Sequence, residues 1–300
     1  MHKLKNTHDN YFLMEHPTKK IFPALFVILI ITFTVLVILT CLIPGDDNKS
    51  QGETRIPGEL TQICSEVRAV LDDIDKRAMS AAGEISEDIS GENTENILYQ
   101  TYNSTKWAVS YAMLSADGII EYAVPEEYES SVGLDIGGFE PAKTIISEKK
   151  PLLTDAFTAQ EGFTGVEFAQ PVMTGRGEYA GSVLAMANPD EFLSEIVTPL
   201  EKEKGVSITV MQTDGCILYD SDKNQVGKNL FTDDLFKKYP NLQNMGRKIS
   251  SQKSGYGTYT FYDSSQAGQT QVKKQAYWDT VSKYGQEWRV IMFRPVVPGV

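Results

Sequence analysis

Two copies of one short pattern limit the fold of this chain more than any other feature of its sequence. Residues 117–122 read DGIIEY and residues 214–219 read DGCILY, so Asp-Gly, Ile and Tyr recur at a constant offset of 97. An apolar, strand-like segment precedes each copy and a Val-Gly pair follows it. Asp-Gly between two such runs favours a tight hairpin, because glycine adopts positive φ without steric cost. The repeat therefore predicts two modules that each begin with a β-hairpin.

The segments that follow the two hairpins repeat as well. Each hairpin is followed by a helical pattern and then by three strand-like runs. In the first copy these are a helix at 141–149 and strands at 151–157, 163–173 and 178–186; in the second they are a helix at 241–252 and strands at 257–262, 272–282 and 287–295. The predicted fold class is α+β, with an antiparallel sheet in each unit of about 100 residues.

A long amphipathic helix is predicted ahead of the repeat. Between residues 60 and 89, apolar residues recur at a mean spacing near 3.6, the period of an α-helix. The polar stretch SGEN at 90–93 interrupts this pattern, and a second helix is expected at 94–106. The apolar stripe of the long helix can face either a second copy of the chain or the modules of its own chain.

The run at 21–43 predicts a transmembrane helix. It has 23 residues without a charge, which is enough to cross a hydrocarbon core of about 30 Å. Lys19 and Lys20 precede it directly, and the basic flank of a span normally stays in the cytoplasm. A cleaved signal peptide has a similar flank, but its apolar core usually has about 7 to 15 residues. We therefore expect a single-pass membrane anchor with residues 1–20 in the cytoplasm and the larger, C-terminal part outside the cell membrane.

Charge and histidine content exclude several functional classes. The net charge of −12 gives no electrostatic basis for binding nucleic acid. The three histidines are His2, His8 and His16, and residues 17–300 contain none. Histidine-based catalytic triads and histidine-ligated zinc are therefore excluded from the predicted extracytoplasmic part. We expect no enzymatic activity and no cofactor.

An acidic stretch at 220–224 and the three cysteines are further candidate sites. DSDKN at 220–224 resembles the opening of a calcium loop, but that loop requires glycine at its sixth position and glutamate at its twelfth, where this chain has Gln225 and Phe231. We expect a hairpin end there and no metal. The three cysteines form no disulfide pattern, although a bridge between Cys64 and Cys216 stays open.

An anchor, a long helix and two hairpin-led α+β units together resemble the double Cache sensor domains of prokaryotic receptors, which are tandem PAS-like modules. DGCILYDSDKNQVGKNLF and AYWDTVSKYGQEWRV are similar to the first and closing hairpins of the second module. KPLLTDAFTAQEGF and VEFAQPVMTGRGEYAGSVLAM are similar to pocket-lining strands of the first. The resemblance implies a long helix at 58–93, a membrane-distal module at 94–204 and a membrane-proximal module at 205–298.

The resemblance further implies a small-molecule ligand in the distal module and a homodimer that forms through the long helix. Polar or aromatic residues on the strands and the loop that line the pocket in the family are the candidate ligand-binding residues. They are Tyr111, Tyr122, Asp155, Phe157, Glu161 and Glu167. Tyrosine and phenylalanine at alternate strand positions are also typical of a core, so each candidate has a structural explanation as well.

The chain departs from the family pattern at two places. Members that bind amino acids hold the amino group with an aspartate near the end of the last distal strand, where this chain has Met186, and their Arg-x-x-Trp carboxylate grip is missing from LDIGGFEPAKTI at 134–145. We therefore expect a ligand other than an amino acid. Family receptors continue through a second membrane helix into a signalling domain, whereas FRPVVPGV ends this sequence, so we expect a separate signalling partner.

Two other functions are consistent with the sequence. In the first, the tandem modules form a surface protein for protein contacts, with large side chains filling both pockets and an apolar patch exposed. In the second, two carboxylates facing each other in an open cleft form a hydrolase.

Overall fold

The computed structural model describes residues 55–87, 91, 93–263 and 270–296, with the backbone alone at 261–263, 270 and 271. The chain from Thr54 onward forms one compact unit. Within the described residues, no helix has the length and apolar character that a membrane span needs. The predicted tail at 1–20 and the predicted span at 21–43 lie outside the described residues.

Five α-helices are present in the described part of the chain. They are α1 Gly58–Glu87, α2 Thr94–Asn103, α3 Glu140–Glu148, α4 Pro189–Lys204 and α5 Pro240–Ser251. The strands are β1 Ala108–Ser115, β2 Ile120–Val124, β3 Leu152–Leu153, β4 Phe157–Thr158, β5 Thr164–Met173, β6 Tyr179–Ala187, β7 Ser207–Gln212, β8 Ile217–Asp220, β9 Gly255–Asp263, β10 Thr270–Lys283 and β11 Gln286–Pro295. We call α2 through β6 the first module and β7 through β11 the second module.

Each module has one antiparallel sheet. The first sheet has the order β2-β1-β6-β5-β3, with β4 also paired to β5, and the second has the order β8-β7-β11-β10-β9. The two orders correspond strand by strand, because each hairpin strand pair lies beside the last strand of its module. A long helix followed by two antiparallel sheets confirms the predicted α+β fold class for the described residues.

The Asp-Gly repeat forms the predicted tight turns. Gly118 and Gly215 have φ of +90° and +97°, a region that residues with a Cβ rarely adopt. The Val-Gly pairs close the two hairpins in the same way, because Gly133 donates to Ile120 O and Gly227 donates to Ile217 O, both at 2.8 Å. Each repeat therefore marks a hairpin together with the return of the chain to its second strand.

Helix α1 buries its apolar stripe against both sheets. It packs on β5 and β6 of the first sheet and on β10 and β11 of the second. The stripe from Leu60 to Ile85 forms one buried core with residues of both modules, such as Phe168 and Trp288. The stripe therefore faces its own chain, and a homodimer through this helix, which would have to use its other faces, stays a prediction.

The predicted strand at 151–157 is wrong in its continuity. It is divided into β3 and β4, which have two residues each. Between them, the N–H of Ala156 donates to the side-chain Oε1 of Gln212 at 2.9 Å, instead of to the sheet. Gln212 belongs to β7, so a contact with the other module replaces a ladder hydrogen bond.

A buried carboxylate ties α1 to both modules. Asp75 on α1 has a side chain that is 7% exposed, and its Oδ2 lies 2.7 Å from Lys283 Nζ. Tyr284 Oη donates to Asp75 Oδ2 at 2.7 Å, and Gln170 Nε2 on β5 donates to Oδ1. We call these four residues the Asp75 junction. A buried charge is tolerated where it is paired and hydrogen-bonded, as Asp75 is here.

The two cysteines of the described residues are free. Cys64 is buried in α1 and Cys216 is half-buried in the β7–β8 turn. Burial raises the pKa of the Cys64 thiol to about 12 and that of Cys216 to about 11, so both stay protonated at neutral pH.

Candidate ligand-binding cavity

The first sheet carries a cavity on the face that points away from α1. Its volume is 460 Å³. The floor consists of strands β1, β2, β5 and β6, and the cover consists of α3 and the segment that leads into it. The side chains that line it are Ser110, Ala112, Ile120, Ala123, Tyr128, Ser131, Leu134, Ile136, Phe139, Pro141, Ala142, Phe157, Thr158, Ala159, Gln160, Glu161, Glu167, Leu184 and Met186.

Small side chains on the floor leave room for the cavity. Ala112 and Ala123 are paired directly across β1 and β2, and Ser110 lies two residues before Ala112 on the same face. Successive strand residues alternate between the two faces of a sheet, so these residues face the cavity while their neighbours face α1. The larger floor residues, such as Leu184 and Met186, come from β6 at the centre of the sheet.

The cover leaves apolar side chains open to solvent. Phe139 is 67% exposed and Leu134 is 47% exposed, although both line the cavity. Exposed apolar side chains grouped at the rim of a concave surface are typical of a binding site. Tyr128, on the short 3-10 turn Glu126–Ser131, adds a ring with a hydroxyl group to the same cover.

Glu167 places a carboxylate in this cavity. It lies on β5, directly across from Met186 on β6, and it is half-buried. Its backbone is held by Thr154, whose Oγ1 accepts from the Glu167 N–H at 3.0 Å. Its carboxylate has no hydrogen bond or ion pair within the described residues, and burial raises the pKa of Glu167 to about 7. No lysine or arginine is among the described residues that line the cavity.

Three of the six predicted ligand-binding residues line the cavity. These are Phe157 on β4, Glu161 in the loop after it, and Glu167 on β5. Glu161 is exposed at the mouth, whereas Glu167 lies deeper on the floor. The structure therefore brings together one aromatic residue and both predicted glutamates.

The other three lie elsewhere. Tyr111 is fully buried against α1, because it pairs with Val124 on the α1 side of the sheet. Tyr122 pairs with Met113 on that same side, and its Oη donates to Gly91 O at 3.2 Å. Asp155 is exposed in the link between β3 and β4. No ligand contact of this cavity can reach Tyr111 or Tyr122 without crossing the sheet.

Sequence reasoning missed the residues of the cover. Tyr128, Ser131 and Phe139 lie outside the sheet, on a segment that consists of one 3-10 turn and a loop. The one signal that could have identified them is the apolar character of Leu134, Ile136 and Phe139 in a stretch that contains no regular element. Such residues in a loop need either a core or a ligand to cover them.

The second module has a smaller cavity at the matching place. Its volume is 210 Å³, and Ser207, Thr209, Ile217 and Asp220 line it. These residues lie 97 positions after Ser110, Ala112, Ile120 and Ala123 of the first cavity. The sequence repeat therefore extends to the pockets, which occupy the same face of the two sheets.

The carboxylate of the second cavity is satisfied by its own module. Asp220 accepts a hydrogen bond from Thr209 Oγ1 and another from the Asp222 N–H at 2.9 Å. Burial still raises the pKa of Asp220, although these two donors oppose that effect. Asp222 bonds within its own turn and accepts from the Asn224 N–H at 3.2 Å. In the described part of the chain, no group of acidic, histidine or cysteine side chains is arranged to hold a metal ion.

Comparison with known proteins shows that this region is similar to a family of sensors. Residues 69–189 match the family model described as HK/GC/chemotaxis protein-like, sensor domain. Over these residues the chain is similar to the sensor domains of this family. The match begins in α1 and ends after β6, so the matched region includes the whole wall of the first cavity. No curated protein matches the chain.

Solved structures agree with this similarity. An extracellular ligand binding receptor from Desulfohalobium retbaense is similar, with 29% identity, a TM-score of 0.65 and 78% of this chain covered. This chain spans 39% of that receptor. The ligand binding domain of the Pseudomonas aeruginosa amino acid chemoreceptor PctB, solved with L-Arg, has 18% identity and a TM-score of 0.58, with 79% of this chain and 92% of that chain covered.

The periplasmic sensory domain of the Campylobacter jejuni chemoreceptor Tlp1 is also similar. It has 16% identity and a TM-score of 0.54, with 79% of this chain and 92% of that chain covered. At these identities the two chemoreceptors establish the shared fold. The predicted resemblance to Cache-type extracytoplasmic sensors is confirmed by the family match together with these neighbours.

Proposed function

We propose that this chain is the ligand-binding part of a membrane-anchored, extracytoplasmic sensor. A small molecule binds in the 460 Å³ cavity of the first module, and a separate signalling partner receives the effect of its binding. The observation that carries this proposal is a preformed concave site that holds an enclosed carboxylate without a partner. Small-molecule sites typically occupy about 300 to 1,000 Å³ and combine apolar walls with a few placed polar groups.

The lining supports a ligand other than an amino acid. PctB was solved with L-Arg, an amino acid. In this chain, the charged side chains that line the cavity are Glu161 and Glu167, and no described cation is there to hold an α-carboxylate. An amino acid would place its carboxylate beside like charges, which is unfavourable in a partly desolvated site.

Strand β5 offers a route from the cavity to α1. Glu167 lies on its cavity face, and Gln170, three residues later, lies on its α1 face and donates to Asp75. If β5 can adopt two placements relative to α1, a ligand that binds one of them more tightly increases the fraction of molecules in that placement. The Asp75 junction would then move α1, which leads toward the predicted membrane segment at 21–43. The anchor and the partner remain predictions.

Thermal unfolding of the full-length chain with a panel of small metabolites tests the proposal. A compound that binds the native state raises the melting midpoint, and at 100 times its Kd it adds about 2.7 kcal/mol to the free energy of unfolding. The shift should disappear in Ala112→Phe, which fills the cavity, and persist in Glu178→Gln, which changes an exposed turn. A panel in which no compound, charged or neutral, moves the midpoint contradicts the proposal.

The two other functions receive less support. A surface protein without a ligand requires large side chains in both pockets, but the first cavity is open. For a hydrolase, the presence of Glu161 and Glu167 in one cavity meets the minimum requirement of two carboxylates. NMR spectra of each bound compound after long incubation separate the cases, since a sensor leaves its ligand unchanged.

A further inference from the structure

We infer that the ligand of this cavity is an organic ammonium cation that lacks a carboxylate, with its charged nitrogen at Glu167 and its apolar body against β1, β2 and β6. The inference rests on the proposed function, because it names the chemical class that the sensor binds. Three features of the described lining support it: two glutamate side chains, no lysine or arginine beside them, and apolar walls.

The cavity carries negative charge without compensation. Glu161 and Glu167 are the charged side chains among the described residues that line it. Glu167 is half-buried, and no described group donates to its carboxylate or pairs with it. An enclosed carboxylate is costly to ionise unless a positive charge or hydrogen-bond donors compensate it. A bound ammonium group would supply both.

The second module has a carboxylate that is satisfied by donors of its own module. Asp220 lies in the matching cavity, where Thr209 Oγ1 and the Asp222 N–H donate to it. The first cavity has alanine at both matching positions, 112 and 123, and its carboxylate comes instead from Glu167 on β5, to which no described side chain donates. Glu167 is therefore open toward the cavity in a way that Asp220 is not.

The remaining polar groups of the lining are neutral. Ser110, Tyr128, Ser131 and Gln160 supply hydroxyl and amide groups. They can orient a ligand, but none offers a positive charge to an anion. A ligand carboxylate would meet two carboxylates and no cation, so the amine of a given side chain should bind better than the matching amino acid or acid.

The walls fit the organic part of such a cation. Ile120, Leu184 and Met186 form an apolar surface on the floor, and Phe139 and Phe157 add aromatic rings. The face of an aromatic ring attracts organic cations. A volume of 460 Å³ accommodates an amine that has a phenyl or branched aliphatic group.

Calorimetric titration of the full-length chain with matched compounds tests the inference. One set is phenethylamine, L-phenylalanine and 3-phenylpropanoate, which share a side chain and differ in charge. A second set is 3-methylbutylamine, L-leucine and 4-methylpentanoate. In at least one set, the amine should bind about tenfold or more tightly than the other two, since a hydrogen bond to a charged group has that effect or a larger one.

Variants of Glu167 test whether its carboxylate binds the ammonium group of the ligand. Glu167→Gln, which preserves size, should weaken binding of the amine by about tenfold or more. Glu167→Asp keeps the charge and should keep the preference for the amine over the acid. Glu178→Gln removes a charge from the exposed β5–β6 turn and should leave the affinity unchanged. Melting curves of all three variants establish that each one is folded.

The outcomes separate this inference from the proposed function. An acid or amino acid that binds as tightly as its amine, or an amine that binds Glu167→Gln as it binds the wild type, overturns the cation inference and leaves the sensing function in place. The same holds if neither amine binds while a neutral metabolite raises the melting midpoint. If no compound of any charge binds or raises it, the sensing function is overturned together with the inference.

Discussion

The two modules have the same sheet order, but the side chains on their cavity floors differ in size. At matching positions of their cavity floors, related by the offset of 97, the first module has the smaller side chains or equal ones. The pairs are Ser110 and Ser207, Ala112 and Thr209, Ile120 and Ile217, and Ala123 and Asp220. Two of the four are identical, and the other two replace alanine with a larger, polar residue.

Strand register extends the comparison to the centre of the sheets. Met186 pairs with Ser110 as Phe293 pairs with Ser207, so these two residues match. By the same argument, Ala169 matches Trp278, because their partners Leu184 and Ile291 match. Ala169 and Trp278 pack in the cores beside the two cavities, whose volumes are 460 Å³ and 210 Å³. A few differences in side-chain size thus accompany the difference in cavity volume between two copies of one fold.

The largest expected effect is a loss of stability when the Trp278 side chain is removed from the core beside the second cavity. Trp278 is fully buried, and its Nε1 donates to Gln252 O at 3.0 Å. Trp278→Ala should lower the free energy of unfolding by about 3 to 5 kcal/mol, measured by chemical denaturation. Phe139→Ala, which truncates a ring that is 67% exposed, should change it by less than about 1 kcal/mol. If both variants lose the same free energy of unfolding, the second module is not more closely packed beside its cavity than the first.

The next effect concerns the two carboxylates. The pKa of Glu167 rises from 4.5 to about 7 on folding, so its contribution to stability is complete below about pH 4.5 and is lost as the pH rises through about 7. Glu167→Gln removes this loss. Relative to the wild type, the variant should therefore gain up to about 3 kcal/mol between about pH 4.5 and pH 8.

Asp220→Asn is the matched control for that pH effect. Hydrogen bonds to Asp220 oppose the effect of its burial, so its variant should show a smaller dependence on pH. Denaturation curves of both variants at several pH values provide the comparison. If the stability difference from the wild type depends more on pH for Asp220→Asn than for Glu167→Gln, then Asp220, and not Glu167, is the carboxylate that lacks compensating donors.

A third test fills the first cavity. Ala112→Phe places a ring over the floor, so the affinity for phenethylamine should fall by about tenfold to 100-fold, because packing a group into occupied space is unfavourable. Ala112→Ser adds a single oxygen atom and should change the affinity less than about threefold. Calorimetric titration of both variants makes the measurement. Undiminished binding by Ala112→Phe would place the ligand in another part of the molecule.

The smallest expected effect is at the Asp75 junction. Tyr284→Phe removes one of the donors to Asp75 and should lower the free energy of unfolding by about 1 kcal/mol. Tyr99→Phe removes a hydroxyl group from a ring that is 52% exposed and should have no measurable effect. Thermal or chemical unfolding of both proteins gives the difference. Equal stability of the two variants would mean that the second module does not hold α1 through this hydroxyl group.

Local patterns predicted the elements of this fold well. The spacing of apolar residues predicted α1, and the Asp-Gly pairs predicted both hairpins, because these signals depend on neighbours in sequence. The interruption between β3 and β4 could not be predicted, since it depends on Gln212, which is 56 residues away from Ala156.

The site was predictable only in part for a similar reason. Alternation along β1 divides its residues into two faces, but the sequence of β1 does not say which face α1 covers. Tyr111 and Tyr122 were therefore candidates although they belong to the core. Glu167 was a candidate of the same standing, and its position on the cavity floor became clear only from the packing of β5 beside β6. The volume of the cavity depends on several elements at once and could not be obtained from any one of them.

The way α1 is shared between the modules bears on how the protein folds. Its apolar stripe completes the core of both sheets, and Asp75 is held from both sides. Neither half would have a closed interior if it were made alone, so a fragment that ends between β6 and β7 should aggregate or remain unfolded. The two copies of the repeat are separate in architecture, but we expect them to unfold in a single transition, because losing one half exposes the core of the other.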